Sequence, residues 1–208
     1  MEWAYIAVMT ALLVGGLLLP LRRAWRHRRQ ALGTRRVRPL PERLVKAALV
    51  ASVSVTAMWS PLLWLYGAEV LRPVALPTSV GWIGLALAAA GVGLVIAGQT
   101  QMGAAWRLGV GDDVEQFVQR GLFARARHPI YAGFGLMFVG VVLAIPGPAV
   151  VAVSAMGLVA VVLETRYEEA FLLRELGERY ASYMRRTGRF LPRLRSPSAS
   201  KASAEGTR

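Results

Sequence analysis

The 208-residue chain has no cysteine and only two histidines, His27 and His128. The missing thiols exclude cysteine nucleophiles, iron–sulfur ligation, Cys-type zinc sites and disulfides, and two histidines so far apart cannot build a His-rich centre, so no metal is implied. Acidic side chains are scarce: 12 Asp+Glu stand against 25 Lys+Arg, a formal charge of +13. Such an excess marks nucleic-acid binding only when it covers one soluble face. Here it lies between apolar stretches, and no nucleic-acid partner is expected. A GxGxxG fingerprint and an alternation of strands with helices are also missing, which excludes a soluble Rossmann domain. At the N-terminus Glu2 precedes the first apolar run and arginines follow it, the reverse of a signal peptide, and no small-residue cleavage pattern comes after. That run is expected to be a retained helix.

Apolar surface is what the chain has in abundance. With 55% hydrophobic residues and a mean hydropathy of +0.43, it is too apolar for an ordinary soluble domain and is expected in a bilayer. Five apolar stretches define an all-α, polytopic membrane protein with five transmembrane helices: 3–19, 47–66 with Pro61 as a kink, 80–97, 130–145 and 149–163. Gly81, Gly84, Gly91 and Gly93 in the third are the small residues that let membrane helices approach closely, and packing explains them without a cofactor. Pro146-Gly147-Pro148 separates the last two, which must form a tight antiparallel hairpin. Each of these is short, since fifteen or sixteen residues reach roughly 23 Å against a hydrocarbon core of about 30 Å. Either the helices extend past their apolar parts or the hairpin tip stops below the far surface. Extension would carry the fifth through Glu164 and Tyr167 to Glu168 and Glu169, near headgroup level.

The chain divides into three N-terminal spans with a basic loop (1–98), a region of re-entering loop, hairpin and C-terminal helix (99–195), and a Ser/Ala-rich tail expected to be disordered (196–208). Of the 25 basic residues, ten lie between 21 and 46, four between 99 and 128 and ten from 164 onward, leaving Arg72 alone. With five spans these groups share one side. The positive-inside rule makes that side cytoplasmic, with the N-terminus and the 67–79 loop outside. Topology and anionic-lipid contact account for Arg22 to Arg38, and for His27 among them. The expected location is the cytoplasmic (inner) membrane.

Chemistry concentrates in two places. Between residues 99 and 127 the chain is glycine-punctuated, and Trp106, Phe117, Leu122 and Phe123 argue that it is folded; a connection of this length tends to be functional. It leads into Arg127-His128-Pro129, where proline suits the first turn of a helix because its missing N–H would have no partner there anyway. The helix-start amides with Arg125, Arg127 and His128 make an anion site. Interfacial anchoring by arginine and Tyr131 is the alternative. About thirty-five residues past Gly133 comes Glu168-Glu169. Helical spacing puts Glu169 at the head of an apolar stripe of Leu172, Leu173, Leu176, Tyr180 and Tyr183, and Glu168 on a more polar flank with Glu164, Leu172, Glu175 and Arg179. A solvated surface for Glu168 and a structural salt bridge for Glu169 are the competing accounts.

Residues 121–133, GLFARARHPIYAG, followed by an apolar hairpin, Glu168-Glu169-x-x-Leu172, Gly177-Glu178-x-Tyr180-x-x-Tyr183 and Phe190-Leu191-Pro192, form an ordered set. From Gln99 to Pro192 the chain resembles the isoprenylcysteine carboxyl methyltransferases and the related phospholipid methyltransferases. It departs from the family's frequent Pro-Tyr after the glycine, having Leu122-Phe123. The resemblance implies an integral membrane methyltransferase using S-adenosyl-L-methionine (SAM), its donor in a cytoplasm-facing pocket built from the last two spans, the loop at Arg127-His128-Pro129 and the C-terminal helix. Implied cofactor-binding residues are His128, Pro129, Tyr131, Gly133, Glu168, Glu169 and Tyr180. Implied catalytic residues are Arg127, His128 and Glu169.

The residue chemistry agrees. Carboxylates at Glu168 or Glu169 suit the donor's ammonium or ribose, and His128 with the helix-start amides suits its carboxylate. Tyr131, Tyr180 and Tyr183 suit adenine or the acceptor path. The expected acceptor is lipidic or amphiphilic and reaches the site sideways between helices, with membrane lipids as the surrounding partners; a carboxylate or thiolate needs no strong base, whereas an amine must first lose a proton, for which Glu169 or His128 is nearest. A membrane reductase using NADPH and a non-enzymatic scaffold are the rival classes.

Overall fold

The computed structural model describes residues 2–11, 39–71, 74–102 and 118–193. The first apolar stretch beyond Ala11, the basic segment from Arg22 to Arg38 with His27, Arg72, Trp106, Phe117 and the 196–208 tail lie outside the described residues. Among the described residues all regular structure is helical: α1 (Glu2–Ala11), α2 (Leu40–Tyr66), α3 (Thr78–Met102), α4 (Pro129–Ala144), α5 (Pro148–Leu176) and α6 (Glu178–Arg186), with single 3-10 turns at Ala68–Leu71 and Gly121–Ala124. α2, α3 and α5 are long and apolar enough to cross a membrane; α4 is shorter.

Local sequence explains the boundaries. Prolines occupy the first turns of α2, α4 and α5, where a missing N–H costs nothing. α2 ends at Gly67 (φ 73°), whose N–H caps Leu63 O, and α5 ends at Gly177 (φ 51°), whose N–H caps Leu173 O; both glycines take a left-handed conformation that a side chain would resist. Within α2 the buried hydroxyls of Ser52 and Thr56 donate to the carbonyls of Ala48 and Ser52, so they need no partner in the apolar interior.

α3 reaches Met102 and therefore takes up Gln99, Thr100 and Gln101, which the sequence places in the following connection. The expected extension of the last two spans occurs in one of them only. α4 has 16 residues, about 24 Å, and stops where Pro146-Gly147-Pro148 follows, whereas α5 runs 29 residues, about 43 Å, through both glutamates. Val74 N donates to Pro146 O at 2.6 Å and ties the α2–α3 connection to the α4–α5 turn.

α3 and α4 touch backbone to backbone. A Cβ on Gly91 would stand 2.5 Å from Gly133 O, and one on Gly140 2.4 Å from Ala88 N. The buried core spreads from this seam through Val92, Met137, Phe138 and Val141 to Val150 and Val161 on α5 and to Tyr5, Leu49 and Val53 on α1 and α2. Lys46 Nζ lies 3.1 Å from the buried Glu164, an ionic tie between α2 and α5.

Candidate functional site

The stripe that sequence spacing draws from Glu169 to Tyr183 is broken by Gly177. α5 buries Glu164, Thr165, Glu169 and Phe171 and leaves Leu173 exposed. α6 then turns Tyr180 and Tyr183 inward and Glu178, Arg179, Arg185 and Arg186 outward. Past α6 the chain doubles back as a strap, Thr187 to Phe190, against the loop that precedes α4. Ala126 and Gly188 pair as a parallel bridge, Arg127 N donates to Gly188 O and His128 N to Arg189 O (both 2.9 Å), and Gly188 N donates to Arg125 O at 3.3 Å.

This docking gathers residues sixty positions apart around one carboxylate. Glu169 Oε1 accepts from Arg127 Nε at 2.8 Å and stands 3.3 Å from His128 Nε2, and Glu169 Oε2 accepts from Arg189 Nη2. Arg127 is held twice more through Nη1, which donates to the carbonyls of Thr187 (2.5 Å) and Met184 (3.2 Å). The Glu169 side chain is 4% exposed, against 26% for Glu168, whose Oε2 lies 3.9 Å from His128 Nδ1. The imidazole is set between Tyr131, edge-on at 5.7 Å between ring centroids, and Phe190 at 6.4 Å. His128 Nε2 is fully buried, and its approach to Glu169 lacks the geometry of a hydrogen bond.

Two tyrosines close the site from α6. Tyr180 and Tyr183 pack with ring centroids 5.9 Å apart, and Tyr183 Oη donates to Phe123 O at 2.5 Å, fixing the 3-10 turn that leads to Arg127. Burial, and after it the carboxylates of Glu169 and Glu168, hold the Tyr180 phenol above its ordinary value, with Arg127 acting in the opposite sense. The Tyr183 phenol is pushed up to about 12 by burial, against the pull of Arg127. Both phenols are neutral near pH 7.

Of the residues expected at the site, Arg127, His128, Glu168 and Glu169 converge, with Tyr131 against the imidazole and Tyr180 buried beside the carboxylates. Pro129 opens α4 there. Gly133 faces the other way: its Cβ position is filled by Gly91 O at 2.7 Å and Val95 Cγ2 at 2.8 Å, so its glycine character serves the α3–α4 seam. Sequence reasoning missed Arg189, which follows a helix break and a turn that no periodicity carries across. The Lys46–Glu164 tie was also missed. Among the described residues no group of three or more His, Asp or Glu is placed to hold a metal ion.

Among the described residues, wholly helical regular structure, three helices long and apolar enough to cross a bilayer and an ion-paired polar cluster where α4 begins define a membrane protein with a polar site at the end of its helices. Residues 80–179, just under half of the chain, match the phospholipid methyltransferase family, a family of membrane methyltransferases. The match bears out the resemblance to membrane methyltransferases through its phospholipid methyltransferase branch; it contains the Arg127-His128-Pro129 segment and the acid pair and stops before Tyr180 and the strap. No curated protein matches the chain.

Proposed function

We propose that the chain is a SAM-dependent methyltransferase of the cytoplasmic membrane that methylates a lipidic or amphiphilic acceptor bearing a carboxylate, thiol or amine. The observation that carries this reading is the convergence of Arg127, His128 and Glu169 on one buried point inside the family-matched region. SAM supplies an electrophilic methyl group on a cationic sulfur.

The residues fit such a donor. Among the described residues His128 Nε2 is a buried polar atom without a hydrogen bond, and Glu168 is partly exposed with no closer ion pair than His128. Glu169 and Glu168 would bind the donor's ammonium and ribose hydroxyls, and Tyr131 and Tyr180 would flank its rings. Methyl transfer is an in-line displacement, so the protein's contribution is alignment and exclusion of water; the packed imidazole, the buried Tyr180 and the strap serve both. No strong base is needed for a carboxylate or thiolate acceptor; for an amine His128 is the nearer candidate, because, although burial pushes it up, His128, Arg189 and Arg127 together hold Glu169 well below the usual carboxylate range and leave it a poor proton acceptor.

Five spans are proposed, with the apolar part of α5 crossing beside α4 and the site on the cytoplasmic face. Calorimetry on the protein in nanodiscs should register SAM and its demethylated product, and no NADPH. NADPH binding without SAM binding would overturn the assignment in favour of a reductase. Labelled SAM added to membranes with and without the protein would then identify the acceptor.

A further inference from the structure

We infer that Arg189 binds the carboxylate of the donor's amino-acid group and, in doing so, leaves Glu169 Oε2 to the donor's ammonium. This rests on the reading of the site as a SAM site and deepens it.

The two oxygens of Glu169 are held very differently. Oε1 is paired with Arg127, a guanidinium 9% exposed that is also hydrogen-bonded to two backbone carbonyls, so it is fixed on three sides. Among the described residues Oε2 is held by Arg189 alone. That side chain is 35% exposed and makes no other hydrogen bond or ion pair among the described residues. Its backbone is nevertheless anchored, because Arg189 O accepts from His128 N and the adjoining Gly188 pairs with the same loop. A fixed backbone at the rim of the site thus carries a partly exposed cation whose single side-chain partner among the described residues is the buried Glu169, so the outer end of that pair is open to an entering anion.

The start of α4 is a poorer carboxylate site than its position suggests. Pro129 has no N–H, and the amides of Arg127 and His128 are already donated to the strap. An α-amino acid group presents an ammonium and a carboxylate two bonds apart. When it enters, the single Arg189–Glu169 pair becomes two, ammonium to Glu169 Oε2 and Arg189 to carboxylate. The exchange brings in no net charge beside two arginines and two glutamates. Arg189 lies outside the family-matched residues 80–179, so the assignment stands on the geometry alone.

The test compares two probes by calorimetry on the full chain in nanodiscs: SAM, and decarboxylated SAM, which keeps the ammonium, sulfonium and adenosine. Arg189→Met should weaken SAM binding by about ten- to a hundredfold, the size of a lost charge-assisted hydrogen bond, and leave the decarboxylated probe unchanged or tighter. Arg189→Lys should restore part of the SAM affinity. Because the decarboxylated probe must still bind, a misfolded variant cannot imitate this result. Equal losses for both probes, or no loss for SAM, would overturn the role of Arg189 while leaving the donor reading intact. A parent protein that binds neither SAM nor its demethylated product would overturn both.

Discussion

At Glu169 a buried carboxylate is shared by two arginines and a histidine, so its replacement has two separable consequences. Glu169→Gln removes the charge that both guanidiniums face and should lower stability by about 3 kcal/mol, because a broken buried pair leaves an uncompensated ion. In folded protein it should also weaken SAM binding by roughly ten- to a hundredfold. Glu168→Gln, on the more exposed neighbour, should do less to both, and His128→Ala should weaken binding with a smaller loss of stability. Thermal melting with calorimetry reads the two effects, and glutamine variants that bind SAM like the parent would make these carboxylates purely structural. The contrast between adjacent glutamates was legible in the sequence, since neighbours on a helix lie about 100° apart and only one can head the buried side. Arg189 was not, because the left-handed Gly177 and the reversal after α6 reset the geometry that periodicity depends on. Tyr183 gives a pH test of the same neighbourhood. Its phenol titrates at 10.0 when unperturbed and at about 12 when folded. Between those values the unfolded chain holds fewer protons than the folded one, so stability is complete below about pH 10 and falls as pH rises toward 12. Melting temperatures measured from pH 8 to 11.5 should decline above 10. Tyr183→Phe should make that decline shallower, while lowering stability at pH 8 by about 1–3 kcal/mol through the lost bond to Phe123 O.

Among the elements, the α3–α4 seam sets how close the site's helices come. Gly91 and Gly93 are two residues apart on α3, yet a Cβ at Gly91 would meet Gly133 O and Met137 N at 2.5 and 2.6 Å, while one at Gly93 meets nothing within 4 Å. The sequence marked both glycines as packing residues, and only position on the helix face separates them. Gly91→Ala should therefore force the backbones apart at a cost of about 1–3 kcal/mol, whereas Gly93→Ala should be neutral or stabilising by about 0.5–1 kcal/mol through its better helix propensity. Unfolding in matched detergent reads the difference. If both substitutions stabilised, the close approach of α3 to α4 would be wrong. α4 and α5 teach a related lesson. Their apolar runs are nearly equal in length, and what makes one helix 29 residues long and the other 16 is punctuation: Pro146 and Gly147 stop α4, whereas nothing between Leu163 and Leu176 breaks α5. Glu164, Arg166, Glu168 and Glu169, which follow the apolar run of α5, are good helix formers, so the carboxylates are carried on the rigid extension of an apolar helix.

For the molecule as a whole, the distribution of charge and aromatic residues predicts orientation. Twenty-four of the 25 basic residues fall in the three segments that five spans would put on one side, with Arg72 the exception. The opposite end, where α2 finishes and α3 starts, exposes Trp64, Tyr66 and Trp82, the aromatic residues that favour a membrane–water interface. Lys46, Arg127, Arg189 and the site glutamates lie at the other end, where α2 and α4 begin and α5 finishes. A cytoplasmic site is also the side on which a cell holds its soluble methyl donor. The expected arrangement is an external N-terminus and a cytoplasmic C-terminus. Because the chain has no cysteine, single substitutions report without background. Ser79 is exposed at the start of α3, and Ser182 lies on α6 beside the site, its hydroxyl bonded to Arg179 O. In intact cells an impermeant thiol reagent should label Ser79→Cys and spare Ser182→Cys, and permeabilised cells should label both. Labelling of Ser182→Cys alone in intact cells would invert the protein and put the carboxylate cluster on the face away from cytosolic SAM. Labelling of both would require an even number of spans between α3 and α6, and the shorter α4 would then be a helix that enters the bilayer without crossing it.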